Sequence, residues 1–174
     1  TSVTLGSGNF VAGSTAGDSI VSGGNYNTVV GDNAGTAITT GTHNVALGFS
    51  ALDANTTGSG NHAIGTSSLT NNTTGANNTS VGSGSLASNT TASNNTAVGY
   101  TALTANTTGT ENVAVGASAL EANTTNGYNT AVGFESLKAN TTGNKNTAVG
   151  RKSLLSNTTG IENVAVGYDC LDAN

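Results

Sequence analysis

Branched apolar residues recur at one spacing along this chain. Val30, Leu47, Ile64, Val81, Val98, Val115, Val132, Val149 and Val166 stand seventeen residues apart. A second file, Leu52, Leu69, Leu86, Leu103, Leu120, Leu137, Leu154 and Leu171, keeps that spacing five residues later. Asn, Thr, Ser and Gly fill most of the intervals. A strict short period makes each copy one turn of a solenoid, stacked on the copy before it. With the Asn before each motif as position one, complete copies begin at Asn27, Asn44, Asn61, Asn78, Asn95, Asn112, Asn129 and Asn146. A partial ninth begins at Asn163, and the consensus is N-[T/V]-A-V-G-x-x-[S/A]-L-x-x-N-T-T-G-x-x.

The pattern divides the chain into residues 27–174, the solenoid proper, and residues 1–26, degenerate repeats or an N-terminal cap. Ser2–Gly6 and Asn9–Gly13 echo the motif there, out of step with the later copies. The sequence stops in mid-copy at Asn174, so the natural protein is expected to continue.

The predicted class is all-β, a parallel β-solenoid with rungs of seventeen residues and two short strands per rung. Gly, Asn and Thr are too frequent, and too regularly placed, for helices. Positions four and nine are expected to face each other as a thin core. Position three, from Ala46 to Ala165, would then point outward by the two-residue period of a strand, as a surface for close packing. The glycines at position five, Gly31, Gly48, Gly65, Gly82, Gly99, Gly116, Gly133, Gly150 and Gly167, are expected at turns, with positive φ or a close approach. Position fifteen carries a second glycine in most copies, expected at a second turn, with Asn126 replacing it as a left-handed residue.

Two asparagine columns invite a ladder, identical amides bonding along the stacking axis. The second column, Asn55, Asn72, Asn89, Asn106, Asn123, Asn140 and Asn157, also heads Asn-Thr-Thr sequons. These are turn ladders copied with the repeat, or glycosylation acceptors if the chain passes through a glycosylating pathway.

Composition narrows the function. There is no proline, 7% of residues are charged and the net charge is −5. Four basic residues cannot form a phosphate-binding surface, so nucleic acid is an unsuitable partner. No apolar run reaches the length of a membrane span. Cys170 is the only cysteine, and it stands where other copies have Ala or Ser, as a small core residue. His43 and His62 fall in different columns. No catalytic, cofactor or metal motif is present, and the acidic residues form no calcium-binding column. A non-enzymatic chain without cofactors is the expectation.

In-register stacking makes residues seventeen apart neighbours at about 4.8 Å. Glu135, Lys152 and Asp169 would then alternate in sign, Glu121 would lie beside Lys138, and Lys145 beside Glu162. Arg151 would sit between Phe134 and Tyr168.

Asn44-Val45-Ala46-Leu47-Gly48 and Asn112-Val113-Ala114-Val115-Gly116 resemble the head repeats of YadA-like trimeric autotransporter adhesins. The longer copy, Asn95 to Leu103 followed by Asn106-Thr107-Thr108-Gly109, also resembles repeat regions of phage tail fibres. The resemblance covers residues 27–174. It implies a left-handed parallel β-roll assembled as a homotrimer, extracellular, on a cell or virion surface. The expected function is a structural and adhesive segment of a fibre, whose partners are further copies of itself and a host-surface glycan or protein. An ice- or glycan-binding solenoid using the paired threonines from Thr56-Thr57 to Thr158-Thr159, or a self-assembling extracellular filament, is the alternative.

Overall fold

The computed structural model describes residues 6–172. The echo at Ser2–Leu5 and the end at Asn174 lie outside them. The described chain is an all-β parallel solenoid. Ten strands of three residues run in chain order: β1 (Phe10–Ala12), β2 (Thr28–Val30), β3 (Val45–Leu47), β4 (His62–Ile64), β5 (Thr79–Val81), β6 (Thr96–Val98), β7 (Val113–Val115), β8 (Thr130–Val132), β9 (Thr147–Val149) and β10 (Val164–Val166). They form one parallel sheet in that order. From β2 onward each residue pairs with the one seventeen ahead, as in Ala97↔Ala114. The β1–β2 step is eighteen, Val11↔Val29, so residues 9–26 form a rung with one extra residue.

Each rung contains one strand, not the expected two. Its second half is a column of turns whose backbone still bonds the next rung, for example Leu52 N–H to Ser68 C=O at 3.0 Å and Ala54 N–H to Thr70 C=O at 3.0 Å. Extended structure is lost there because alternate residues are left-handed. The leucines at position nine have φ between 47° and 55°, and Ser50, Ser67 and Ser118 at position seven have φ of 52° to 56°. A non-glycine residue in this region costs about 1 kcal/mol or more. The leucine side chain offsets that cost, because it is fully buried at Leu52, Leu69, Leu86, Leu103, Leu120, Leu137 and Leu154, which is worth roughly 2 kcal/mol each.

The faces of the strand are the reverse of the expectation. Position three is the buried one: Val29, Ala46, Ala63, Ser80, Ala97, Ala114, Ala131 and Ala148 are all fully buried. Val30, Val81, Val98, Val115 and Val132 at position four are half-buried. Leu47, Ile64, Val149 and Val166 are exposed, Leu47 by 44% and Val166 by 67%. Leu171, in the last described rung, is also exposed. The reason is volume. Leucine at position nine fills a thin interior, leaving room for only Ala or Ser at positions three and eight. Position four therefore faces outward despite its apolar character, since apolar residues are not confined to interiors.

The first two rungs solve the same packing problem differently. There Val11–Gly17–Ile20 and Val29–Gly35–Ile38 stand where later rungs have Ala46–Leu52–Asn55. A Cβ on Gly35 would lie 2.7 Å from Ile38 Cδ1 and 3.2 Å from Val29 Cγ1. Isoleucine from position twelve and valine from position three thus occupy the space that leucine fills elsewhere.

The position-five glycines meet their expectation: φ runs from 126° to 140° across Gly31 to Gly167. A Cβ on Gly48 would also stand 2.7 Å from the Gly65 carbonyl oxygen. The second glycine column differs, because neither those glycines nor Asn126 has positive φ. Close approach explains Gly41, where a Cβ would come 2.5 Å from the Gly58 carbonyl oxygen.

Candidate functional site

Both asparagine columns are internal ladders. At position one, each backbone N–H donates to the side-chain oxygen one rung back, as from Asn61 to Asn44 Oδ1 at 2.9 Å. The Asn61 side-chain amide donates to the Gly75 carbonyl at 2.8 Å. At position twelve, Asn72 Nδ2 donates to Asn55 Oδ1 at 2.8 Å and Asn89 Nδ2 to Asn72 Oδ1 at 2.8 Å. Asn55, Asn72, Asn89, Asn106, Asn123, Asn140 and Asn157 are all buried, so the folded chain cannot present them as glycan acceptors. Their burial supports the turn-ladder reading.

The threonine pairs divide. The first of each is half-buried in most rungs, its hydroxyl tied to the next rung: Thr56 Oγ1 donates to the Thr73 carbonyl at 3.1 Å. The second, from Thr40 to Thr159, is exposed in every rung. The pairs thus present one exposed file beside a half-buried one.

The outer face of the sheet is the main exposed feature. It presents position two (Phe10, Thr28, Val45, His62, Thr79, Thr96, Val113, Thr130, Thr147, Val164) and position four (Ala12, then Val30 to Val166). His62 lies here, exposed on β4. Neither file contains an Asp, Glu, Lys or Arg. Ten strands at about 4.8 Å make the face roughly 45 Å tall, and two side-chain files make it roughly 10 Å wide. Such an area reaches the size of the largest apolar patch on an ordinary monomer.

Aromatics and charges flank this face at positions six and seven, and further charges stand at positions ten (Glu121, Lys138) and seventeen (Lys145, Glu162). Lys138 bonds Glu135 at 2.7 Å and lies 3.7 Å from Glu121. Lys152 lies 3.7 Å from Glu135, and Lys145 pairs with Glu162 at 3.2 Å. Asp169 pairs with Arg151 at 3.5 Å in place of the expected Lys152. The Lys138 hydrogen bond holds the Glu135 carboxyl below its ordinary range, and the same bond raises the Lys138 ammonium. Arg151 lies over both neighbouring rings, 5.7 Å from Phe134 and 5.0 Å from Tyr168. An open furrow of about 510 Å³ runs beside the ion pairs, lined by Thr104, Ala105, Glu121, Ala122, Lys138 and Leu155 among others.

Cys170 packs against the core from a half-buried position. His43 is a left-handed turn residue with φ 58°, its ring 5.1 Å from that of Tyr26. Among the described residues, no three His, Cys, Asp or Glu side chains are placed to hold a metal ion, and no helix is long and apolar enough to cross a membrane. Sequence reasoning missed the outer valine face because it assigned those residues to the core. The signal was available in the constancy of the small residue at position three. No protein-family model, curated protein or solved structure matches this chain.

Proposed function

We propose that this chain is a shaft segment of an extracellular fibre, on a cell or virion surface, assembled as a parallel homotrimer of left-handed rolls. The observation that carries the reading is the face without Asp, Glu, Lys or Arg, mostly β-branched, running through all ten strands in one register. Isolated chains leave that face wet. A second copy with the same axial rise matches it rung for rung, and three copies sharing it around an axis would close without leaving an open edge. The face alone, roughly 45 Å by 10 Å, supplies about half of the roughly 800 Å² per partner of a standard interface. The shaft holds a binding tip away from its base and adheres through repeated weak contacts to a surface glycan or protein.

The test is the mass of the purified chain by light scattering, together with electron micrographs averaged without imposed symmetry. A three-chain mass and a three-fold rod are expected. Val98→Asp with Val115→Asp should give a folded single chain. A wild-type chain that stays monomeric at high concentration overturns the reading.

A further inference from the structure

We propose that Tyr100, Ala117, Phe134 and Glu135 form a recognition slot for a guanidinium group from outside the chain. The inference does not depend on the fibre reading. It rests on comparing two neighbouring parts of one column. At position six the chain reads Tyr100, Ala117, Phe134, Arg151, Tyr168. The backbone keeps one ladder through all five: Ser118 N–H bonds the Tyr100 carbonyl at 2.9 Å, Glu135 that of Ala117 at 3.0 Å, Lys152 that of Phe134 at 2.9 Å and Asp169 that of Arg151 at 2.9 Å. Aromatic residues therefore stand two rungs apart, about 10 Å, first on either side of Ala117 and then on either side of Arg151.

The second interval shows what such a space holds. The Arg151 guanidinium lies between Phe134 and Tyr168 at 5.7 and 5.0 Å, donates to the Tyr168 hydroxyl at 2.6 Å and faces the Asp169 carboxylate at 3.5 Å. An aromatic pair, a hydroxyl and a carboxylate recur one interval earlier, with the hydroxyl on the rung behind the space rather than on the rung ahead. Tyr100 and Phe134 supply the aromatic residues, exposed by 65% and 46%. Tyr100 supplies the hydroxyl. Glu135 supplies a carboxylate from the place in its rung that Asp169 has in its own, shared with Lys138 at 2.7 Å from one oxygen and Lys152 at 3.7 Å from the other. Ala117, half-buried, has a side chain too short to enter. A guanidinium suits the space better than an ammonium, because it is planar, weakly hydrated and donates in several directions. The chain has one arginine, Arg151, already placed in its own interval, so the occupant comes from another molecule. An arginine of a partner protein and a free guanidinium compound share this chemistry.

Fluorine NMR of the fluorotyrosine-labelled, assembled protein separates the cases. The signal of Tyr100, assigned with Tyr100→Phe, is followed against arginine amide, lysine amide and a neutral peptide with one central arginine. The Tyr100 signal should shift with arginine amide at concentrations where lysine amide leaves it unmoved. Binding of the peptide tighter by about tenfold assigns the slot to a partner arginine, and equal binding assigns it to a free guanidinium compound. Ala117→Arg places an internal guanidinium in the slot, as at Arg151, so this variant should fold, melt higher and lose the response. No Tyr100 shift with either arginine probe, an equal shift with lysine amide, or an undiminished shift in folded Ala117→Arg overturns the proposal.

Discussion

The side-chain amide of Asn72 donates to Oδ1 of Asn55 at 2.8 Å, one rung away, and both side chains are fully buried. Asn72 accepts in turn from Asn89, so its oxygen and nitrogen are both committed. Asparagine alone has a donor and an acceptor on a side chain of that length and shape. Asn72→Asp removes both donations and turns a carboxylate toward Asn55 Oδ1 and the Gly75 carbonyl. It should destabilise the chain by about 3 kcal/mol, read from denaturant unfolding, whereas Thr74→Ala on the surface should stay within about 0.5 kcal/mol. An unchanged midpoint for Asn72→Asp would remove the ladder as a source of stability.

Leu120 and Val115 are both apolar and five residues apart, yet they face opposite ways. Leu120→Asp buries an unpaired charge in a thin core and should unfold several rungs, with loss of about 4 kcal/mol or more. Val115→Asp stands on the outer face and should leave the melting of the isolated rung stack within about 1 kcal/mol while weakening association. Equal losses of folded signal in the two variants would return position four to the interior.

Val29, Gly35 and Ile38 are interchangeable with Ala, Leu and Asn only as a set. Gly35→Leu alone should cost about 1–3 kcal/mol through overpacking against Ile38 and Val29. The triple change Val29→Ala, Gly35→Leu, Ile38→Asn reproduces the later rungs, extends the asparagine ladder by one member and should recover that loss. A triple variant no more stable than the sum of its single changes would deny the coupling.

Glu135 and Lys138 are expected to add a pH dependence to the stability of the stack. The Glu135 carboxyl is held below its ordinary value of 4.5, first by its hydrogen bond to Lys138. Its contribution is therefore present above that value and is lost as pH falls through the lowered one. Lys138 is raised above 10.5, first by the same bond, so its contribution is present below that value and is lost as pH rises through the raised one. Thermal melting should decline at both extremes, and Glu135→Gln should flatten both limbs. An unaltered pH profile in that variant would show that the pair adds nothing in solution.

Much of this architecture was legible in the sequence, because the chain repeats its own register. The seventeen-residue step, the turn glycines from Gly31 to Gly167, the buried leucines and the Arg151 sandwich follow from placing like residues on neighbouring rungs. The face of the strand did not follow. Alternation shows that Ala114 and Val115 oppose each other, but hydrophobicity alone assigns the wrong one to the interior when leucine from the far side has already filled it. The left-handed leucines were hidden for a related reason. A backbone conformation normally reserved for glycine or asparagine is held here by burial of the side chain, and nothing local in a Ser-Leu pair announces it.

Each rung bonds only the rung before and the rung after, and every interior rung offers its neighbours nearly the same ladders. Nothing in such a stack counts its own members. An in-frame duplication or deletion of seventeen codons would lengthen or shorten the rod by one step and leave both flanks joined as before. The extra residue in the rung from Asn9 to Tyr26 marks the other side of this tolerance: an insertion is admitted where it bulges at a turn, while the strand beside it keeps its partner.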